Sequence, residues 1–488
     1  MNIYAWIILG YFALVVLIGV LTKKAAAKSA SDYLVAGRNL GVIVCAVVVA
    51  AEWLGGMSTI GVSEKAFKTG TLQPIFYNIA TAIGMIIIGF TVAAHYRSKG
   101  VHTVSEMIEH LFGKRARSVS AIAFLVAYIT LAYVQLQTCA GVMAPLFDIS
   151  WTWAVILSAA IITIYTYVGG MHALAVTGII YLVTMYLGLG IAFLVGLYRT
   201  GGFDGLHALL VAQGAPENLY NPFSAGMSDA FALLLGGVLG GMAAQASIQP
   251  IFAAKDVSTA KRASVLAGFL VAPFGIMTAF LALYAKTGKF FDLAMVSDAK
   301  TVLTRILTTP EFIPPVLGGL ALAGALAAIL STVGPVNFAV VTIAAKDIYH
   351  GMINPTADDK KIIAAARRLV VLVGIVTIPL AIFLRGAVLD TAYVSYAIRA
   401  IGAIVILMGI YARGWISAQG VRMSFILGTI VIFVTIIAKE MGWFSVDKTY
   451  GAVVATLVIL FIVKAYEKIT GMRNDPCDPG KTTEEPMK

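Results

Sequence analysis

The stretch AVVVAAEWLGGMSTIGVSEKAF, residues 46–67, places Glu52, Trp53, Gly55 and Gly56 within a long hydrophobic segment. The composition of the chain is that of a membrane protein: 60% of the 488 residues are hydrophobic, 12% are charged, and the mean hydropathy is +0.91. Soluble globular chains lie far from these values. A carboxylate and two adjacent glycines inside a membrane segment predict that this helix is interrupted and faces protein or water, not lipid.

Apolar runs of about 20 residues, long enough to cross a hydrocarbon core of about 30 Å as helix, recur along nearly the whole chain. They predict an all-α polytopic membrane protein with about 13 transmembrane helices and exclude a barrel, whose strands would be shorter and alternate in polarity. The predicted spans are 3–22, 40–64, 74–95, 118–146, 151–168, 173–198, 229–252, 263–285, 314–345, 366–384, 389–412, 420–438 and 449–467. The first span is predicted to be a true helix and not a cleaved signal peptide, because Lys23 and Lys24 follow it without a small-residue cleavage site.

The distribution of Lys and Arg predicts the orientation of the chain. With the N-terminus outside, most of the 35 basic residues fall in inner loops and the C-terminal tail, as the positive-inside rule requires. The same bias accounts for the net charge of +11, so the basic balance indicates membrane topology and gives no support for nucleic-acid binding. We therefore expect an integral protein of the plasma (inner) membrane with a cytoplasmic C-terminus.

The seventh span, ALLLGGVLGGMAAQASIQPIF (232–252), is a second glycine-interrupted helix, with the amides Gln245 and Gln249 before Pro250. The glycines of both spans also suit close packing of helices. Two interrupted helices, each opening a group of five spans, favour an inverted-repeat transporter with its site near the bilayer midplane. The predicted parts are an extra N-terminal helix and loop (1–39), a first five-helix repeat (40–198), a second, inverted five-helix repeat (229–412), two C-terminal helices (413–468) and a disordered cytoplasmic tail (469–488).

Three further stretches carry a family resemblance. DYLVAGRNLG (32–41), IYTYVGGMHALAVT (164–177) and AGALAAILSTVGPVNFAVVTIAAKDIY (323–349) resemble the sodium:solute symporter family in order and spacing. The resemblance covers most of the chain and implies a LeuT-type fold with one extra N-terminal helix. Within the family, WLGG and YRSKGVHTVSEMIEHLFGKR (96–115) are most similar to the high-affinity choline transporter branch.

The resemblance implies a Na⁺ site between the second and ninth spans. Its ligands would be the hydroxyls of Ser331 and Thr332 and the carbonyls of Ala328, Ala46 and Val49. Oxygen ligands suit a hard cation, and a helix supplies them from hydroxyls or from carbonyls freed at a break. By itself, a Ser-Thr pair in a membrane helix more often bonds back to the preceding turn and binds no ligand.

Two departures from the family pattern bear on the number of coupled ions. Gly178 follows Thr177 where many relatives carry an acidic residue, and Gly334 stands where the choline branch carries an aspartate. We therefore expect one coupled Na⁺ per solute. Proton coupling through Glu52 is the alternative.

The resemblance places the solute against spans two, four, seven and eleven. Trp53 matches an aromatic wall of the choline branch, but the other cage positions hold Ala244 and Leu131, so choline itself is not the expected solute. The polar groups favour a carboxylate, an amino acid or a zwitterion. With Trp53, the residues predicted to bind solute are Glu52, Tyr133, Gln135, Gln245, Gln249 and Arg399.

Arg399 lies far from either end of its span, where a charge is costly unless it is paired or faces water. Its planar guanidinium suits a carboxylate. That carboxylate belongs either to the solute or to Glu52, whose ion pair with Arg399 would join spans two and eleven. Snorkelling toward an interface is the third interpretation.

The predicted function is Na⁺-coupled symport of a small polar organic solute by alternating access, with Na⁺ as coupling ion. The expected partners are the solute and the lipid bilayer, with no enzyme activity, nucleic acid or obligatory protein partner. A channel would need a ring of pore-lining groups, and an intramembrane enzyme would need a nucleophile with a base or a metal cluster.

Overall fold

The computed structural model describes residues 3–22, 39–412, 414–444 and 446–471, apart from the side chains of 12, 15–16, 18–22, 165 and 168–176. The helices of the first part are α1 (Ile3–Thr22), α2 (Val42–Trp53), α3 (Val62–Thr69), α4 (Phe76–Phe90), α5 (Ala93–Ser98), α6 (Val104–Phe112), α7 (Lys114–Phe147), α8 (Trp151–Thr200) and α9 (Gly202–Ala212). Those of the second part are α10 (Met227–Met242), α11 (Gln245–Phe252), α12 (Val257–Val271), α13 (Phe274–Lys286), α14 (Val302–Leu307), α15 (Pro315–Thr342), α16 (Asp359–Phe383), α17 (Val388–Tyr411), α18 (Ala418–Glu440) and α19 (Lys448–Thr470). Short 3₁₀ turns lie at Gln73–Ile75, Leu293–Met295 and Ala299–Thr301, and π-helical segments at Met57–Gly61 and Ile343–Ile353.

The all-α membrane fold is confirmed, whereas the count of thirteen spans is not. In the described part of the chain, ten helices are long and apolar enough to cross a membrane, or eleven if the bent pair around the first break counts as one span. One difference lies in α8, a helix of 50 residues that contains both spans predicted at 151–168 and 173–198 and has no proline between them. The predicted loop at 23–38 and the predicted tail from 472 onward lie outside the described residues.

The first broken helix consists of α2, the π-helical segment Met57–Gly61 and α3, and its two arms differ in direction by 52°. The break contains Gly55 and Gly56. A Cβ atom on Gly55 would come within 2.8 Å of Cγ2 of Thr332, and one on Gly56 within 2.7 Å of Oε1 of Gln135. The glycine pair therefore serves both predicted purposes, because it interrupts the helix and admits neighbouring helices to the backbone.

The second broken helix consists of α10 and α11, and its break lies at Ala243 and Ala244. The preceding glycines do not form the break. Two of them face α17 instead: a Cβ atom on Gly236 would lie 2.7 Å from the Tyr393 ring, and one on Gly240 would lie 2.9 Å from Tyr396. The helix is thus interrupted in the predicted region, but the break lies on the C-terminal side of the glycines. The glycines serve close helix packing instead.

The two breaks lie in the interior of the bundle. Leu40, just before α2, pairs with the chain just after α11 through bonds from Leu40 N–H to Ala253 O and from Lys255 N–H to Leu40 O, both 3.0 Å. Around them, α12 packs on α2, α10 packs on α17, and α15 packs against α8 and α2. The residues at both breaks are consequently buried inside a shell of other helices.

Candidate functional site

The last four carbonyl groups of α2 accept hydrogen bonds from one backbone amide and three side-chain hydroxyls. Their donors are Leu54 N–H for Ala50 O (3.0 Å), the Ser331 hydroxyl for Ala51 O (2.6 Å), the Thr332 hydroxyl for Glu52 O, and the Ser58 hydroxyl for Trp53 O (2.8 Å). Two of the four donors thus belong to Ser331 and Thr332, which we call the Ser-Thr pair. The Ser331 hydroxyl also lies 2.7 Å from the carbonyl of Ala328, one turn earlier on α15.

The predicted ion ligands are only partly brought together. The oxygen cluster at the first break comprises the hydroxyls of Ser331 and Thr332 and the carbonyls of Ala328, Ala51 and Glu52. Ala46 and Val49 are buried within α2, where a helical carbonyl accepts from the amide four residues later. No group of three or more His, Cys, Asp or Glu side chains in the described residues could hold a metal ion. The groups that this break offers to a cation are hydroxyl and carbonyl oxygens.

The carboxylate of Glu52 faces the second break. It accepts a hydrogen bond from the hydroxyl of Ser247, the third residue of α11. The positive end of the helix dipole favours a carboxylate at this position. Glu52 and Gln249 also line a cavity of about 10 Å³, which has room for at most about one water molecule. Among the described residues no ion pair joins Glu52 to Arg399, so the predicted pairing of these side chains is not formed.

Arg399 is surrounded by aromatic rings. Its guanidinium carbon lies 4.0 Å from the ring centroid of Tyr396, 5.6 Å from that of Tyr128 and 5.9 Å from that of Trp53. We call these three rings the aromatic box. Only 2% of Arg399 is exposed, which excludes snorkelling to an interface, and its Nε and Nη2 have no hydrogen-bond partner. Buried donors without an acceptor are costly, so these two groups mark a position suited to an anion.

Two further donors without a hydrogen-bond partner are Nε1 of Trp53 and Nε2 of Gln135. Trp53 packs edge-on against Tyr396, with ring centroids 5.9 Å apart. The amide oxygen of Gln135 accepts from the Thr138 hydroxyl at 3.2 Å, which leaves the amide nitrogen free. Together with Arg399, three helices (α2, α7 and α17) each present a buried donor. A solute with several acceptor oxygens would match donors of this kind.

The two predicted amides of the second broken helix have partners within the protein. Nε2 of Gln245 donates to His102 O at 2.9 Å, and its Oε1 accepts from Val104 N–H at 2.7 Å. Nε2 of Gln249 donates to the Thr342 hydroxyl at 3.4 Å. Gln245 thus joins α11 to the start of α6, and its amide is occupied by backbone groups on both sides.

Tyr133 lines a cleft of about 630 Å³ beside the start of α17. The cleft carries charged residues of both signs, including Lys65 and Asp390, whose side chains pair at 3.5 Å. Tyr393 also lines it and stacks on Tyr396, with ring centroids 4.8 Å apart and ring planes within 8°. Tyr133 therefore belongs to the cleft, and Tyr393 lies between the cleft and Tyr396 of the aromatic box.

Sequence reasoning missed Ser247, Tyr128 and Tyr396. Tyr396 precedes Arg399 by three positions on α17, which places both on one helix face, so this spacing could have identified it. Tyr128 and Ser247 lie on α7 and α11, and no local pattern marks them. Tyr128 is held at the second break because its hydroxyl accepts from Ala246 N–H at 3.1 Å.

Arg117, near the start of α7, binds three carboxylates. The distances are 2.8 Å to Asp347, 3.1 Å to Glu106 and 2.6 Å to Glu109. The hydroxyl of Thr103 donates to Asp347 Oδ1 at 2.9 Å. Glu106 and Glu109 lie on α6, and Asp347 lies on the π-helical segment that continues α15. This Arg117 cluster therefore joins α6 and α7 to the helix that carries the Ser-Thr pair.

Glu106, which α6 contributes to the Arg117 cluster, is ionised at neutral pH. Burial raises the pKa of Glu106, but hydrogen bonds and charge from His102 and the charge of Arg117 outweigh it and lower that pKa to about 2. Glu106 is therefore ionised and keeps its attraction for Arg117.

Comparisons with known proteins agree with this architecture. The model of the "Sodium:solute symporter family" matches residues 33–428. The chain is 25% identical to the sodium/glucose cotransporter of Vibrio parahaemolyticus, over 77% of this chain and 74% of that protein. It is also 25% identical to high affinity choline transporter 1 of Homo sapiens, over 74% of this chain and 64% of the relative, and 22% identical to sodium/proline symporter 2 of Staphylococcus saprophyticus, over 94% and 92%.

Solved structures with the LeuT-type fold share the architecture. A Na⁺-coupled sialic acid symporter in a substrate-bound outward-open state matches with a TM-score of 0.80 at 18% identity, covering 96% of this chain and 98% of that one. Mhp1, a nucleobase-cation-symport-1 family transporter, matches with a TM-score of 0.55 at 13% identity, covering 90% and 95%. The predicted fold class is thereby confirmed.

Proposed function

Because the chain belongs to the sodium:solute symporter family, we propose that it couples Na⁺ to the transport of a small polar organic solute that carries a carboxylate. Members of this family are transporters and not enzymes. The protein lies in the plasma (inner) membrane with its N-terminus outside and its C-terminus in the cytoplasm. Its two halves, 40–198 and 229–412, move against each other so that the site opens to one side at a time.

Arg399 is the observation that supports a carboxylate. It is a buried cation whose Nε and Nη2 have no hydrogen-bond partner. A guanidinium binds a carboxylate through two parallel charge-assisted hydrogen bonds, which are about twice as strong as neutral ones. The free donors on Trp53 and Gln135 suit additional oxygens of the same solute. A small carboxylate, amino acid or zwitterion therefore fits this set of donors better than an amine.

We place the coupled ion where α15 meets the first break. The Ser-Thr pair offers hydroxyl oxygens there, and the negative end of the α2 dipole favours a cation. The resemblance assigns the α2 carbonyl ligands to Ala46 and Val49, and the carbonyls of Ala51 and Glu52 offer oxygens next to the hydroxyls. An ion in this position links α2 to α15. If it raises the affinity for solute by some factor, the solute raises the affinity for the ion by the same factor.

Thermal unfolding of the purified protein in detergent tests the coupling. We expect a Na⁺-specific rise in melting temperature, relative to matched K⁺ buffer, that increases further with one class of small carboxylate or amino acid. The double variant Ser331→Ala/Thr332→Ala should lose the Na⁺ response, because both hydroxyl ligands are removed. Thr130→Ala is the matched control, since the Thr130 hydroxyl bonds only its own helix, to Val126 O at 3.0 Å. A folded double variant with the full Na⁺ response would contradict the ion site.

Proton coupling through Glu52 is the second candidate, because Glu52 is a buried carboxylate bonded to the Ser247 hydroxyl between the two breaks. It predicts that acidification, not Na⁺, stabilises the solute complex and that Glu52→Gln abolishes this pH dependence. The Na⁺ proposal predicts instead that Glu52→Gln retains a Na⁺ response. The same thermal measurement at several pH values separates the two.

A further inference from the structure

Three helices bring aromatic rings to a single buried cation. The box consists of Trp53 on α2, Tyr128 on α7 and Tyr396 on α17, with ring centroids 4.0–5.9 Å from the guanidinium carbon of Arg399. Several aromatic faces around one positive charge is the arrangement that proteins use to bind quaternary ammonium ligands. In this protein the cation is supplied by the chain itself, and the rings come from positions other than Ala244 and Leu131.

A purely structural role does not account for this arrangement. The described residues include no carboxylate paired with Arg399, and Nε and Nη2 have no hydrogen-bond partner. Apolar side chains would fill the same space without the cost of burying a charge. The charge is therefore retained for an interaction that the helices do not themselves provide. The rings of the aromatic box stabilise the charge of Arg399, and its two N–H groups without a partner point to an acceptor from outside the helices.

We propose that Arg399 determines the charge of the solute: its guanidinium occupies a binding place for an organic cation, so the native protein rejects amines that lack a carboxylate and accepts anions and zwitterions. Two effects act together. The guanidinium fills the volume between the rings, and its charge repels a second cation at short distance. Discrimination of this kind, by a built-in repulsive element, is a general route to specificity.

The test is whether removal of the side chain turns the box into a cation site. Purified Arg399→Ala and the native protein are titrated with tetramethylammonium and with choline in K⁺ buffer without Na⁺, and the melting temperature is followed. The native protein should show no response. Arg399→Ala should show a saturable rise of a few degrees, and ethylguanidinium, which resembles the deleted side chain, should raise its melting temperature toward the native value.

Two further variants identify the place where the cation binds. Arg399→Met fills the box with an apolar chain of similar length and should not respond to tetramethylammonium. Arg399→Ala combined with Trp53→Leu lacks the indole face and should bind tetramethylammonium at least tenfold more weakly than Arg399→Ala. A response of equal strength in the double variant would place the cation outside the box and overturn the proposal.

Failure to fold is also informative. If Arg399→Ala is recovered as a monodisperse protein only when ethylguanidinium is present, the box accepts a free cation and the proposal holds. If Arg399→Ala, with or without that ligand, shows no response to any of the three cations, or is never recovered, the proposal is overturned.

The inference rests on the proposed function only in naming the carboxylate as the accepted partner. Cation binding by the variant is measured without Na⁺ and without carboxylates. If Na⁺ and carboxylates do not change the melting temperature of the native protein, the proposed function is contradicted. The proposal that Arg399 occupies a cation site is not affected by that result. A normal Na⁺ response in the native protein, with no cation response in Arg399→Ala, would overturn the proposal about Arg399 and leave the proposed function standing.

Discussion

At the scale of single residues, Gly55 sets the distance between α15 and the first break. A Cβ atom at this position would overlap the Thr332 side chain, whose Cγ2 is 2.8 Å away. The hydrogen bond from the Thr332 hydroxyl to Glu52 O spans the same gap. Without the glycine, the Ser-Thr pair could not reach the carbonyls at the end of α2.

We expect Gly55→Ala to lower the stability of the protein by about 1–3 kcal/mol, the usual cost of an extra group in a close-packed interior. It should also reduce the Na⁺ response, because α15 has to move away from α2. Gly10→Ala is the matched control, since a Cβ atom on Gly10 meets no atom within 4 Å. Thermal unfolding in the same detergent compares the two. Equal melting temperatures would show that the close approach at Gly55 has no energetic consequence.

At the scale of elements, α6 connects the parts of the molecule that hold the site. Gln245 binds backbone groups at its start, and Arg117 binds two of its carboxylates together with Asp347. The second broken helix, α7 and the π-helical continuation of α15 therefore all contact one short helix. Side-chain contacts through α6 thus link α11 to the continuation of α15.

Arg117→Ala should destabilise the protein by about 3–5 kcal/mol, because it leaves Asp347, whose side chain is 0% exposed, as a buried charge without its partner. Arg115→Ala removes an exposed charge from the same end of α7 and should change the stability by less than about 0.5 kcal/mol. Thermal unfolding in matched buffers checks both. The role assigned to the Arg117 cluster fails if the two variants melt alike.

At the scale of the whole molecule, Tyr393 separates the cleft beside α17 from the aromatic box. Tyr393 lines the cleft, Tyr396 lies behind it, and the Tyr396 hydroxyl is 2.7 Å from the hydroxyl of Tyr77. Tyr77 is on α4 and Tyr396 is on α17, so this contact joins the two predicted halves. The proposed alternating access would require this contact to open.

We expect a cysteine at Tyr393, which is 3% exposed, to react faster with a membrane-impermeant thiol reagent in Na⁺ than in K⁺, because the ion favours the outward-open state. Asp390→Cys is the control and should react at the same rate in both, since the Asp390 side chain is 64% exposed in the cleft. Both variants are made with Cys477 replaced; Cys45 and Cys139 are buried. Identical rates for Tyr393→Cys in the two buffers would contradict Na⁺-driven opening.

Some features follow from local sequence. The hydrophobic runs predict membrane helices because each span must satisfy its own backbone groups. The glycine pair at 55 and 56 predicts the first break, and the family motifs predict the LeuT-type fold. The second break is less predictable: Gly236 and Gly240 pack against α17, and the interruption falls at Ala243 and Ala244, a position that depends on the neighbouring helices.

The sequence by itself determined the class of the protein, the positions of the first broken helix and the Ser-Thr pair, and the presence of a costly charge at Arg399, because these depend on composition and on spacing within single helices. Only the tertiary structure decided which groups meet. Glu52 binds Ser247, 195 residues away, instead of Arg399, and Arg399 lies among rings from three helices. Such partners depend on how the helices pack, and a periodic pattern within one helix carries no information about its neighbours.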